Sequence, residues 1–114
     1  MGGRFRGTPV LLLTTIGRKT AKRRTPLLYT AEGNSWVVVA SNGGRPTDPS
    51  WWSNLKRNPE AEIQIGREIR KAQARKASTE EKTRLWPLLT KMYPTYNDYQ
   101  RKTDREISVV ILEP

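Results

Sequence analysis

Residues 17–26, GRKTAKRRTP, hold Arg18, Lys19, Lys22, Arg23 and Arg24 with no acidic residue among them. Guanidinium and ammonium groups packed this closely suit anionic oxygens, to which they donate charge-assisted hydrogen bonds. Gly17 would let backbone amides approach the same anion. The anion could be a nucleic-acid backbone or a small ligand bearing phosphate or carboxylate. The run also fits an ordinary exposed basic connection. It is not a P-loop, because the GxxxxGK[ST] pattern is not satisfied.

A second candidate is Ser41-Asn42-Gly43-Gly44. Two glycines here either relieve a tight loop or let the backbone lie flat against a planar ligand, with Ser41 and Asn42 offering polar contacts. Trp51 and Trp52 would wall such a pocket. Adjacent helical residues point about 100° apart, so the pair is not expected to share one core, and at least one should face a pocket or interface. Tyr93, Tyr96 and Tyr99 recur every third residue. That spacing places them on one helix face, either as core packing or as the rim of an aromatic-binding cleft.

There is no histidine and no cysteine. Structural zinc, disulfides, a thiolate nucleophile and a Ser-His-Asp triad are thereby excluded, and no dense carboxylate cluster is present to hold a metal. An enzyme built from these residues would draw its reactivity from a bound cofactor, with the protein supplying position and electrostatics.

The elements that must position these residues are legible from periodicity. Residues 10–15 (VLLLTT), 25–31 (TPLLYTA), 35–41 (SWVVVAS), 60–65 (EAEIQI), 68–77 (EIRKAQARKA) and 107–112 (ISVVIL) read as strands. The basic run is then the loop between the first two, and Glu32-Gly33-Asn34 a hairpin turn. Asp48 is placed as the N-cap and Pro49 as the first residue of a helix over about 49–58. Ser78 with Glu81 forms a capping box opening a helix over about 79–92, with Leu85, Leu89 and Met92 on one face. Pro87 is expected to kink or split that helix. Residues after Tyr93 give a further short helical stretch. Six mostly antiparallel strands with two or three helical insertions predict a small, mainly β (α+β) barrel.

The chain has 114 residues, suited to one domain spanning 1–114. Its net charge of +10 is uneven: residues 1–45 hold eight Lys or Arg against Glu32 alone, and the rest hold thirteen against ten acids. Such a one-sided field steers anions toward one part of the surface. A core this small would gain from burying a face against a second copy, which makes a homodimer an expectation. No apolar stretch reaches membrane-spanning length and no signal-peptide core precedes the first strand, so a cytoplasmic location is expected.

Taken together, LLLTTIGRKTAKRRTPLLY, VVVASNGGRPTDPSWWSNLKRNPEAEIQIG and LWPLLTKMYPTYNDYQRKTDREISVVILEP resemble the deazaflavin-dependent nitroreductases of actinobacteria, over nearly the whole chain and in the same order. The resemblance implies a split β-barrel that binds coenzyme F-420, an 8-hydroxy-5-deazaflavin with a phosphate and an oligoglutamate tail. It further implies hydride transfer from the reduced cofactor to a quinone-like, nitroaromatic or unsaturated-lactone acceptor. Arg18, Lys19, Thr20 and Arg24 would then meet the anionic tail, and Pro26, Ser41, Asn42, Gly43 and Gly44 would lie beside the ring and its linker. Trp51 and Asn54 match helix positions that close over the cofactor. Ser41 and Tyr96 match the residues that contact the acceptor and serve the catalytic step, with Tyr93 and Tyr99 shaping the cleft. Ala21, Asp48, Trp52 and Asn42 depart from the family's usual residues, which bears on acceptor preference more than on cofactor binding. Some relatives begin with an amphipathic helix linked to peripheral membrane association, a segment this sequence does not carry.

Two alternatives stand beside that reading. One is an F-420 binding or carrier protein with little turnover. The other is a basic RNA-binding barrel, which the strands support poorly because they lack the interleaved aromatic and basic residues of a stacking platform.

Overall fold

The computed structural model of the protein describes residues 4–5, 8–17 and 21–114. Eight strands form one sheet: β1 (Arg4–Phe5), β2 (Thr8–Ile16), β3 (Lys22–Leu28), β4 (Thr30–Glu32), β5 (Ser35–Val39), β6 (Glu60–Ile65), β7 (Glu68–Lys76) and β8 (Val109–Glu113). Three α-helices accompany them: α1 (Ser50–Arg57), α2 (Thr79–Met92) and α3 (Thr95–Lys102). All pairings are antiparallel. The order is β1-β2-β6-β7-β8-β5-β4, with β3 also on β2.

The strand expected at 25–31 is present but divided at Tyr29. Its first part pairs with β2 (Leu12 opposite Pro26) and its second with β5 (Ala31 opposite Trp36). One bent segment therefore joins the two ends of the sheet and closes the split β-barrel. That bend and the short β1 raise the six expected strands to eight. Lys22, Arg23 and Arg24 are another difference: they belong to β3, opposite Ile16, Thr15 and Thr14, and not to a loop. Threonine and isoleucine favour extended backbone, and they carry the hairpin past the point where charge suggested it would end.

The apolar runs of β5 and β8 follow from burial on both faces. Val38, Ala40, Val110 and Leu112 enter the barrel with Leu11, Leu13 and Ile63. Val37, Val39, Val109 and Ile111 face the other way, onto Leu85 and Leu89 of α2 and Tyr96 of α3. Leu85 and Leu89 are fully buried, so truncating either to alanine costs about 2–5 kcal/mol. Met92 packs at the edge of that layer. Gly33 and Gly66 take φ of 59° and 60° in the two-residue turns after β4 and β6, where a Cβ would be strained.

The capping box forms as expected. The Ser78 hydroxyl accepts from the Glu81 amide at 3.1 Å, and the Glu81 carboxylate accepts from the Ser78 amide at 2.8 Å. Glu81 is also held by the two terminal guanidinium nitrogens of Arg75, each at 2.8 Å, and these hydrogen bonds lower its pKa to about 2. Stability from this group is thus fully present above its ordinary value of 4.5 and fades as pH falls through about 2. Replacing Ser78 with alanine is expected to cost about 1 kcal/mol. A melting temperature equal to that of the unaltered protein would remove the cap as a stabilising contact. Pro87 does not split α2, which runs unbroken from Thr79 to Met92.

Candidate active site

The loop after β5 is built from unusual backbone. Asn42, Gly43 and Gly44 take φ of 48°, 65° and 80° in succession, a left-handed path that asparagine and glycine tolerate best. The Asn42 side-chain amide donates to the Thr47 carbonyl at 2.9 Å, which closes the loop. The two glycines serve different ends. A Cβ on Gly43 would meet nothing within 4 Å, whereas one on Gly44 would lie 2.8 Å from the Tyr99 carbonyl oxygen. Gly43 leaves room at a surface, and Gly44 lets α3 rest on the loop.

That surface is one wall of a cleft of about 780 Å³. Ser41, Asn42 and Gly43 form one side, Tyr93, Tyr96 and Tyr99 another, and Thr25, Leu27 and Trp51 close it from β3 and α1. The three tyrosines do not share one helix, since Tyr93 ends α2 and only Tyr96 and Tyr99 lie on α3, but all three meet at the cleft. Tyr93 and Tyr96 meet edge-to-face with centroids 4.9 Å apart, and the Tyr93 and Tyr99 hydroxyls lie 3.4 Å from each other. Burial chiefly, with the neighbouring tyrosines adding to it, pushes the Tyr96 phenol above its ordinary pKa. It therefore stays protonated at neutral pH. The Tyr99 phenol is also raised, mainly by its hydrogen bond with Tyr93.

A second groove of about 840 Å³ adjoins the cleft, sharing Thr25 and Ser50 with it. Gly17, Lys22, Arg23, Arg24 and Arg57 line this groove. The cleft is rich in aromatic and apolar side chains with Arg45 as its one charged residue, and the adjoining groove carries four cations against Asp48. A flat ring joined to an anionic tail fits that division, and no metal-binding cluster is found among the described residues. Arg18, Lys19 and Thr20 lie outside the described residues.

Not every expected residue reaches the cleft or the groove. Pro26 is exposed and is not part of either wall. Gly44 is buried under α3 instead of facing the cleft. Asn54 borders the cationic groove with its polar atoms engaged: its amide donates to the buried Thr15 hydroxyl at 3.0 Å, and its carbonyl accepts from Arg57 at 2.7 Å. Trp51 and Trp52 are each only 5% exposed and join one core cluster, contrary to the expectation for adjacent helical residues. The short α1 packs against β2, so both rings reach apolar surroundings, and Trp51 still presents an edge to the cleft.

Asp48 is not a helix cap. Pro49 holds that position, and the Asp48 carboxylate accepts instead from Lys56 at 2.7 Å and Arg105 at 3.1 Å. Arg57 went unnoticed in the sequence, although its position three residues beyond Asn54 on the same helix face was a usable signal. Arg105 gave no such signal.

A family model described as F420H(2)-dependent quinone reductase matches residues 1–114. A Mycobacterium tuberculosis protein named for the same activity is 41% identical over 116 residues, covering 100% of this chain and 98% of that one. Among solved structures, an F420-H2 dependent reductase, FDR-A, is 42% identical with a TM-score of 0.84, covering 92% of this chain and 94% of that chain. Another, described as a domain-swapped dimer, is 41% identical with the same TM-score of 0.84 and covers 92% and 80%. The chain belongs to the F420H(2)-dependent quinone reductase family, oxidoreductases for which F420H2 is the hydride donor.

Proposed function

We propose that the aromatic cleft receives the deazaflavin ring together with a quinone, and that the cationic groove receives the cofactor's phosphate and glutamate tail. The observation that carries this reading is that the two spaces share Thr25 and Ser50, with aromatic side chains gathered in the cleft and four cations against Asp48 in the groove. When bound, F420H2 supplies a hydride to the acceptor, and the protein needs no nucleophile of its own. Leu27 and Trp51 exclude water from the ring's surroundings, which strengthens every polar contact there. Ser41 and Tyr96 both line the cleft and donate hydrogen bonds to the acceptor oxygen as it gains charge. Lys22, Arg23, Arg24 and Arg57 hold the tail, with the neighbouring Arg18, Lys19 and Thr20 extending the same run. A second copy of the chain covering part of the barrel is a further element of this reading, supported by the dimeric relative.

Fluorescence titration of oxidised F-420 with the protein tests the placement, with FMN and a short RNA as competitors. Saturable binding that neither competitor displaces is expected. Arg24→Ala combined with Arg57→Ala should weaken it about tenfold and flatten its dependence on salt. Binding to RNA that collapses between low and moderate salt, with none to F-420, would replace this reading by the nucleic-acid one.

A further inference from the structure

We propose that Arg105 is a positioning residue for the Ser41–Arg45 loop, and through that loop for the deazaflavin ring. The proposal rests on the placement of the ring in the aromatic cleft. The Arg105 side chain is only 15% exposed and lies against the loop. Its Nη1 donates to the Ala40 carbonyl at 3.2 Å and to Asp48 at 3.1 Å. Nη2 donates to the carbonyls of Ser41 and Arg45, each at 3.0 Å, and Nε reaches the Arg45 carbonyl at 3.3 Å. These acceptors bracket the three left-handed residues at both ends.

The loop needs such a brace. Its own backbone supplies Gly44 N–H to the Ser41 carbonyl at 2.9 Å and Arg45 N–H to the Asn42 carbonyl at 3.2 Å. With the Asn42 side-chain bond to Thr47 these hold three successive positive φ angles, but none of the three bonds reaches outside residues 41–47 to tie the loop to the rest of the cleft. A planar guanidinium spans carbonyls on both sides of the loop at once, which a single ammonium nitrogen cannot do. Asp48 faces Arg105 and is shared with Lys56, so the buried charge is compensated.

Arg105 is itself fixed to the other wall. Its amide donates to the Thr103 hydroxyl at 3.2 Å, and its carbonyl accepts from the Gln100 side chain of α3 at 2.8 Å. The same Gln100 accepts from the Ile107 amide at 3.0 Å. The residue therefore sets the loop carrying Ser41 in register with the helix carrying Tyr96 and Tyr99. Distance across the cleft, and hence the alignment of donor and acceptor, depends on that register.

Arg105→Lys tests this by three readouts. Amide hydrogen exchange on the cofactor-free protein should speed up over residues 41–47 and stay unchanged in β6 and β7. The dissociation constant for F-420, read by fluorescence, should rise about tenfold. In a double-mutant cycle with Ser41→Ala, the two losses in turnover should be strongly non-additive, because each acts through the same loop. Unchanged exchange in the loop, exchange raised evenly through the barrel, or losses that simply add would each overturn the proposal. Should Arg105→Lys fail to fold, Asp48→Asn keeps the carbonyl contacts but removes the facing charge. It should give the same local exchange pattern with about a threefold loss of affinity, and an unaltered loop would again refute the idea. If the unaltered protein does not bind F-420, the cleft assignment fails instead, while the exchange experiment still judges the role of Arg105 in the loop.

Discussion

Gly44→Ala is expected to melt at least 10 °C or so below the unaltered protein and to lose F-420 affinity by about a hundredfold. The residue sits at a φ of 80°, where an L side chain is strained by about 1–3 kcal/mol. Its new Cβ would lie 2.8 Å from the Tyr99 carbonyl oxygen and 3.0 Å from both the Tyr99 Cα and the Lys102 Cβ. Two of these neighbours are backbone, so a rotamer change cannot relieve the contact, and overpacking adds roughly another 1–3 kcal/mol. Each kcal/mol lowers the melting temperature by about 4–8 °C in a domain of this size. Relief must come from moving α3 away from the loop, which separates the two walls of the cleft. Gly43→Ala is the informative control: its φ is 65° but nothing lies within 4 Å, so only the backbone strain remains. Circular-dichroism melts and cofactor titrations on both variants check the comparison. Equal behaviour of the two alanine variants would mean that the close seat of α3 on the loop does not hold the cleft together.

Local chemistry is what the sequence expresses well. Ser78 with Glu81 announces a helix start because both partners lie within one turn, and the structure contains that reciprocal pair. Val37 to Val39 announce a buried strand because an unbroken apolar run needs cover on both faces, which the barrel interior and α2 provide. The tyrosine triplet and the Ser41–Gly43 loop were recognisable as candidates, and the fold brings them to one cleft. What stayed hidden depends on partners far apart in the chain. Asp48 looks like a cap from its neighbours alone, yet it is claimed by Arg105, 57 residues away. Arg105 itself, between two acidic residues near the end of a polar segment, looks like an ordinary surface charge. Its acceptors are backbone carbonyls 60 to 65 residues earlier, and carbonyls carry no residue-type signature. The tryptophan pair was half legible: Trp51 does line the cleft, yet both rings join one core, because helical spacing tells where two rings point but not how much apolar surface surrounds a short helix. The basic run was legible as charge and illegible as structure, since β3 takes in Lys22 to Arg24 only through its pairing with β2.

Tyr96→Phe is expected to lower quinone turnover about a hundredfold while leaving the F-420 dissociation constant within twofold. Removing one hydrogen-bond donor from a developing negative oxygen in a dry site typically costs that much in rate. The ring itself packs on Trp86 and Tyr93, contacts that phenylalanine keeps, so the cofactor's surroundings are preserved. Burial raises the phenol's pKa, so proton loss from it is harder than from a free tyrosine. The residue is then a neutral hydrogen-bond donor throughout the working range and a poor proton source. Its contribution to turnover should consequently stay constant up to about pH 10. The same shift has a signature in stability. Below the ordinary tyrosine value of 10 both folded and unfolded forms hold the proton, and the contribution is fully present. Above it the unfolded chain ionises first, so stability falls as pH rises toward the higher folded value. Tyr96→Phe should remove this part of the alkaline slope in thermal melts. Tyr93→Phe provides the contrast, since its hydroxyl faces that of Tyr99 across 3.4 Å and should influence turnover only weakly. Equal rates for the Tyr96→Phe variant and the unaltered protein would take the phenol out of the reaction and leave Ser41 as the proposed donor to the acceptor oxygen.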